Sequence, residues 1–183
     1  MSVTEKEFLR RYSQELREGN AAVFVGAGMS IPSGYVNWRA LLKDIADDLG
    51  LDVELEHDLI ALAQYEVNRK RSRDSLDDAI IREFNKQATF SKDHQKLARL
   101  PIDTVWTTNY DKLLEKAFES AKRTVQSKDR PSQLRHRNPY ADVTIFKMHG
   151  DVDDPANAVL TKQDYECYET ERGAFTVELL SDL

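Results

Sequence analysis

AAVFVGAGMSIPSG, residues 21–34, is the stretch whose reading decides the fold. Its first five residues are small or apolar and have the character of a buried strand. They run straight into Gly26-Ala27-Gly28. Gly26 predicts a tight turn in a backbone conformation that a side chain would forbid. Gly28 has no Cβ, so a phosphate group can approach the main chain there. Free N–H groups in such a loop point at an anion. The third glycine of the dinucleotide fingerprint is missing, and Ile31 stands in its place. No Gly-Lys-Ser/Thr follows, so this is not a P-loop. A glycine turn at a strand end with no ligand remains the alternative at this point.

With 183 residues, 40% of them apolar, the chain has the size and composition of one domain, 1–183, with a real core. Its net charge of −6 argues against a nucleic-acid surface. Cys167 is the one cysteine, which excludes an internal disulfide and a cysteine-rich zinc site and fits a reducing compartment. The opening MSVTEKEF is charged almost at once, unlike a secretory signal. No apolar run reaches the roughly 18–20 residues of a membrane span. A cytoplasmic location is expected.

Outward from the glycine loop the pattern alternates. Upstream, Thr4 and Glu7 make a capping-box pattern ahead of Phe8, Leu9, Tyr12 and Leu16, which share one helical face. Gly19-Asn20 marks the end of that helix. Downstream, Asn37 is placed to cap a helix over about 38–49, with Gly50 as its stop. Helical patterns follow at about 58–70, 74–86 and 91–100. Three helices in succession do not make a βαβ crossover, so residues 51–100 are predicted to form a helical insertion beside the sheet. Pro101 ends the helical run.

IDTVWT at 102–107 and VTIFKM at 143–148 predict two further strands. A helix over about 112–121 follows the first. Residues 122–140 read as a polar, basic loop with a short strand near 124–126. A short strand at 158–160, a helix starting at Thr161 or Asp164, and a helical pattern over 172–183 complete the chain. The fold class expected is α/β, a Rossmann-like, mostly parallel sheet with a helical insertion.

Three strands therefore end in polar punctuation: Gly-Ala-Gly, Thr-Asn-x-Asp and His-Gly-Asp. In an open α/β sheet ligands bind beyond the carboxyl ends of the strands. The three groups are predicted to converge on one crevice. Each has a plainer reading alone. Asn109 could cap a helix and Asp111 stabilise its first turn; His149 could be a surface or a core histidine. The basic run that includes Arg135, His136 and Arg137 lacks interleaved aromatics and reads as a solvated loop.

GAGMS at 26–30, TTNYD at 107–111 and KMHGD at 147–151, in that order, resemble the sirtuin-like superfamily. Trp38-Arg39, after Pro32 and Gly34, is similar to the end of the first sirtuin loop, and LTKQDY at 160–165 to a segment of bacterial sirtuin-like proteins. Sirtuin deacylases carry a four-cysteine zinc ribbon, which this sequence lacks. The resemblance is thus to the prokaryotic sirtuin-like NAD hydrolases of anti-phage defence, whose domain is fused or bound to a regulatory sensor. It also implies later strands that 1–183 does not contain, so the family fold is expected to be truncated at its C-terminus.

What the resemblance implies is an NAD glycohydrolase. Asn109 and His149 would be catalytic. Gly26, Ala27, Gly28, Ser30, Trp38, Arg39, Asn109, Asp111 and His149 would bind NAD, which is the substrate, and no metal is called for. A regulatory partner domain or protein and a homo-oligomer are expected, and neither a membrane nor a nucleic acid. The alternatives are a module that senses NAD or ADP-ribose without turnover and, further off, a protein deacylase.

Overall fold

The computed structural model describes residues 3–182. Met1, Ser2 and Leu183, included in the reading of 1–183 as one domain, lie outside the described residues. Helix α1 (Glu5–Glu18) starts where the Thr4 hydroxyl accepts the Glu7 N–H at 3.3 Å and stops at Gly19, whose φ is 76°. It buries none of its residues and leaves Phe8 and Leu9 exposed. From its apolar stripe Leu16, partly buried, packs against the core around Val25 and Val105.

Among the described residues the strands are four, β1 (Ala22–Val25), β2 (Thr104–Thr107), β3 (Val125–Lys128) and β4 (Val143–Lys147), all parallel in the order β1-β2-β4-β3. The fold is α/β and Rossmann-like, as the alternation of patterns predicts. The sheet differs from expectation at its edge. The strand at 21–25 is not buried along its length: β1 is outermost, only Val25 among its residues is buried, and Phe24 is 53% exposed. An edge strand has a neighbour on one side only, and apolar composition does not reveal position in the sheet.

The single helix expected over 38–49 is two, α2 (Trp38–Leu41) and α3 (Lys43–Asp48), broken at Leu42 (φ −93°, ψ 4°). Leu41 and Leu42 are both fully buried. Neighbours on a straight helix point about 100° apart, and the break lets both reach the core. Helices α4 (Leu59–Lys70) and α5 (Asp74–Phe84) pack with α2 and α3 around Leu62, Leu76, Ile80 and Phe84, against Tyr110 and Leu113. Helix α6 (Lys92–Ala98), read in sequence as the end of the helical insertion, belongs elsewhere. Its Leu97 and Ala98 pack with Val105, Ile145 and Phe118 of α7 (Leu113–Ser120) on one face of the sheet.

Residues 130–136 hold a short helix, α8 (Pro131–Leu134), rather than continuous loop. Helices α9 (Lys162–Glu166) and α10 (Tyr168–Ser181) complete the chain; Phe175 of α10 covers Trp106 and Phe146 on the opposite sheet face. No helix among the described residues is long and apolar enough to cross a membrane.

The strand expected at 158–160 is absent. Ala158, Val159 and Leu160 are buried but irregular, tied to the β4 end by the Val159 N–H on the His149 carbonyl at 2.8 Å. Gly150 permits this close passage. Its φ is 96°, and a Cβ there would meet the Ala158 Cα at 3.0 Å. Gly150→Ala should therefore destabilise the fold by about 1–3 kcal/mol. Thermal denaturation checks this, and an unchanged Tm would contradict the packing described.

Candidate active site

Strands β1, β2 and β4 run parallel, so their carboxyl ends open on one edge of the sheet, with β2 in the middle. Neighbouring strands lie about 4.8 Å apart. The turn after β2, which carries Asn109, is thus flanked by the glycine loop after β1 and by His149 after β4.

Gly26 does not adopt the conformation expected of it. Its φ of −108° and ψ of −178° are open to any residue, and a Cβ at Gly26 or Gly28 would meet nothing within 4 Å. These glycines leave space rather than make a turn. The one-turn helix Ala27–Met29 has its first bond from the Met29 N–H to the Gly26 carbonyl at 3.1 Å. The N–H groups of Ala27 and Gly28 precede that bond and have no partner within the turn.

Asn109 is nine-tenths buried and held from two sides. Its backbone N–H donates to the Thr107 hydroxyl at 3.0 Å, and that hydroxyl donates to the Val25 carbonyl at 2.8 Å. Its Nδ2 donates to the Gly26 carbonyl and to the Ser30 hydroxyl, each at 3.1 Å. A carbonyl only accepts, so these contacts fix which end of the amide is nitrogen. The Ser30 hydroxyl donates in turn to Asp111 Oδ2 at 2.7 Å, and Asp111 Oδ1 accepts the Leu113 N–H at 2.9 Å at the start of α7. Ser30, Asn109 and Asp111 form one chain of bonds that ties the glycine loop to the β2 turn.

His149 is partly buried, and its Nδ1 has no hydrogen-bond partner among the described residues. Burial, with the Arg172 guanidinium adding to it, pushes the imidazole down to about 4. It is therefore neutral at pH 7 and able to accept a proton. Tyr165 and Tyr168 stand edge-on to the ring, with centroids at 5.6 and 6.2 Å. Burial holds both phenols up near 12.

Two adjoining cavities share Ala27, Trp38 and Thr108. The inner one, about 30 Å³, reaches Ser30, Asn109 and Asp111. The outer one, about 450 Å³, reaches His149, Tyr165 and His57. The structure thus brings Ala27, Ser30, Trp38, Asn109, Asp111 and His149 to one crevice, beside the space left by Gly26 and Gly28. Arg39 stands apart. Its guanidinium donates to the carbonyls of Val53 and of Glu56, the latter at 3.0 Å, and so fastens the loop that leads to His57.

Tyr165, His57 and Lys147 escape site assignment from sequence. Tyr165 and His57 reach the crevice from distant elements; Tyr165 closes the LTKQDY segment, which marks the stretch but not this side chain, and His57 carries no local signal. Lys147 had one: a lysine inside the apolar run VTIFKM.

A parallel sheet with an open glycine turn, a pinned amide and a neutral imidazole at three adjacent strand ends defines a Rossmann-like α/β protein with a crevice at its carboxyl edge. Residues 103–182 match the SIR2-like domain family. Across 177 residues the chain is 43% identical to a protein of Enterococcus faecium named NAD(+) hydrolase ThsA, covering 96% of this chain and 37% of the relative. Proteins of the same name from Cytobacillus dafuensis and Acinetobacter baumannii are 43% and 40% identical over 181 and 179 residues, 98% of this chain in each case and 36% and 37% of theirs. The chain is SIR2-like over residues 103–182 and similar to these relatives over nearly its whole length. It spans little more than a third of the length of these curated relatives.

Proposed function

We propose that this chain is the NAD-cleaving domain of an NAD hydrolase, the toxic effector of a bacterial anti-phage system, acting in the cytoplasm with a regulatory partner domain or protein. The relatives' names give the substrate class. The observation that carries the reading is the pinned Asn109 amide next to a neutral, unpartnered His149 in adjoining cavities beside an open glycine turn.

The reaction breaks the bond between ribose C1′ and the nicotinamide nitrogen. The electron pair leaves with nicotinamide, water adds to C1′, and one proton is released. The pyridinium leaves as a neutral base, so no general acid and no metal are required of the protein. The transition state has oxocarbenium character, as in other glycosyl transfers. Ala27 and Gly28 N–H groups, with the space at Gly26 and Gly28, suit a pyrophosphate. Both Asn109 Nδ2 protons are engaged, which leaves Oδ1 as the acceptor that orients a ribose hydroxyl or the attacking water. His149 takes the proton from that hydroxyl or water. Trp38 and Tyr165 wall the crevice against bulk solvent. Asp111 works through Ser30, holding the glycine loop to Asn109.

The test is to incubate the full-length protein with NAD and identify products by mass. Nicotinamide and ADP-ribose in equal amounts are expected. NAD binding by calorimetry without any product would replace the reading with a sensor, and turnover of an acetyl-lysine peptide with a deacylase. Gly28→Ala sharpens the test. A Cβ there meets no protein atom, so stability should stay within about 0.5 kcal/mol of wild type while KM for NAD rises. An unchanged KM would remove the glycine turn from the binding site.

A further inference from the structure

We infer that Lys147 is the positioning residue that locks the Asn109 turn and the His149 turn in register. This rests on the reading above, in which those two side chains serve one reaction. Lys147 is the last residue of β4, two before His149, and only 1% exposed. Its ammonium donates to the backbone carbonyls of Tyr110 at 3.1 Å and Asp111 at 2.7 Å. It also donates to Asp151 Oδ2 at 2.6 Å and Glu115 Oε1 at 3.2 Å. An ammonium has three protons, so one of them is shared among these acceptors.

The two carbonyls belong to the residues just after Asn109, and Asp151 lies two after His149. One buried charge therefore grips both turns. A second set of bonds follows the same seam. The Tyr110 carbonyl also accepts the Val152 N–H at 2.9 Å, and Lys112 Nζ bridges Asp151 at 2.8 Å and Asp153 at 2.9 Å. Burial alone would raise the Asp151 carboxyl, but Lys147, the Asp153 N–H and Lys112 hold it below the usual carboxylate range. Asp151 is therefore held as the carboxylate.

Packing does not explain a lysine here. The rest of β4 is largely apolar, and a buried ion pair is often matched or bettered in stability by apolar groups of similar volume. What an ammonium does that an alkyl chain cannot is hold two backbone carbonyls of a neighbouring turn at fixed distances. Rate is sensitive to such placement: an error of about 1 Å in a reacting group costs on the order of 100-fold.

Removing Lys147 alone would leave Asp151 and Glu115 without their shared cation and threaten folding. The test is therefore Lys147→Met paired with Asp151→Asn and Glu115→Gln in the full-length protein, with Lys147→Arg beside it. The paired variant should keep a cooperative melt close to wild type. Its kcat for nicotinamide release should fall on the order of 10- to 100-fold, with KM for NAD little changed. Hydrogen exchange should quicken in residues 107–113 and 148–152 and not across the strands, and Lys147→Arg, which keeps a cation, should recover part of the loss. A folded paired variant with wild-type kcat, or exchange that quickens uniformly, would overturn the inference. Should the wild type itself release no nicotinamide, the reading of the reaction falls; exchange in the two turns still decides the role of Lys147, faster exchange there upholding it and unchanged protection refuting it.

Discussion

His149→Ala in the full-length protein should lower nicotinamide release by a factor of about 10³, within the span that a positioned acid–base group contributes. The side chain lines the outer cavity, edge-on to Tyr165 and Tyr168. A normal melt with turnover cut to about a thousandth is the expected outcome. The pH dependence follows from the same residue. The active form is the neutral imidazole, pushed down to about 4. In a pH-jump assay kcat/KM should be flat between pH 5 and 7 and fall only as pH drops through about 4. An acid limb centred near pH 6.5, the value of a free histidine, would show that His149 is not buried as described.

Stability carries the same signature. As pH falls, the unfolded chain protonates this histidine near 6.5, while the folded chain resists until about 4. The folded state therefore loses up to roughly 3 kcal/mol between those two values. His149→Ala should remove that part of the acid sensitivity. Wild-type turnover in the variant would end the assignment.

Asn109→Ala should reduce turnover by about 10²- to 10³-fold, the loss typical when a preorganised hydrogen-bonding group is removed from a reacting centre. Both bonds from Nδ2, to the Gly26 carbonyl and the Ser30 hydroxyl, disappear. Ser30 keeps its bond to Asp111, so the glycine loop stays attached to the β2 turn. The expected stability cost is about 1–2 kcal/mol, visible as a modest fall in Tm. The measurement is kcat and KM for NAD beside a thermal melt. A folded variant whose kcat stays within about threefold of wild type would leave Asn109 as a structural bracket only.

Much of the site was legible because its parts sit at strand ends. A β-branched run stopped by Gly-Ala-Gly, Thr-Asn or His-Gly is a local pattern, and local patterns survive without tertiary context. Elsewhere local reading misled. Gly26 looked like a conformational necessity, yet its backbone angles are ordinary and what matters is the empty space around it. Residues 38–49 kept one apolar face on paper, but two adjacent leucines both needed the interior and the helix broke at the second, Leu42. Residues 158–160 were apolar enough for a strand, but beside one bond to the His149 carbonyl their backbone is taken up by the side chains of Arg73, Tyr110 and Asp164.

The amino-acid sequence by itself determined where strands end and which side chains stand there, since alternation, β-branching and glycine or proline breaks act over a few residues. Only the tertiary structure decided that β2 lies between β1 and β4, so that Asn109 falls between the glycine loop and His149. It alone decided that Arg39 grips a loop, that His149 is neutral, and that Lys147 reaches two turns at once. Each of these depends on contacts between residues far apart in the chain and on how deeply a charge is withdrawn from water, and neither quantity is written in any short stretch of sequence.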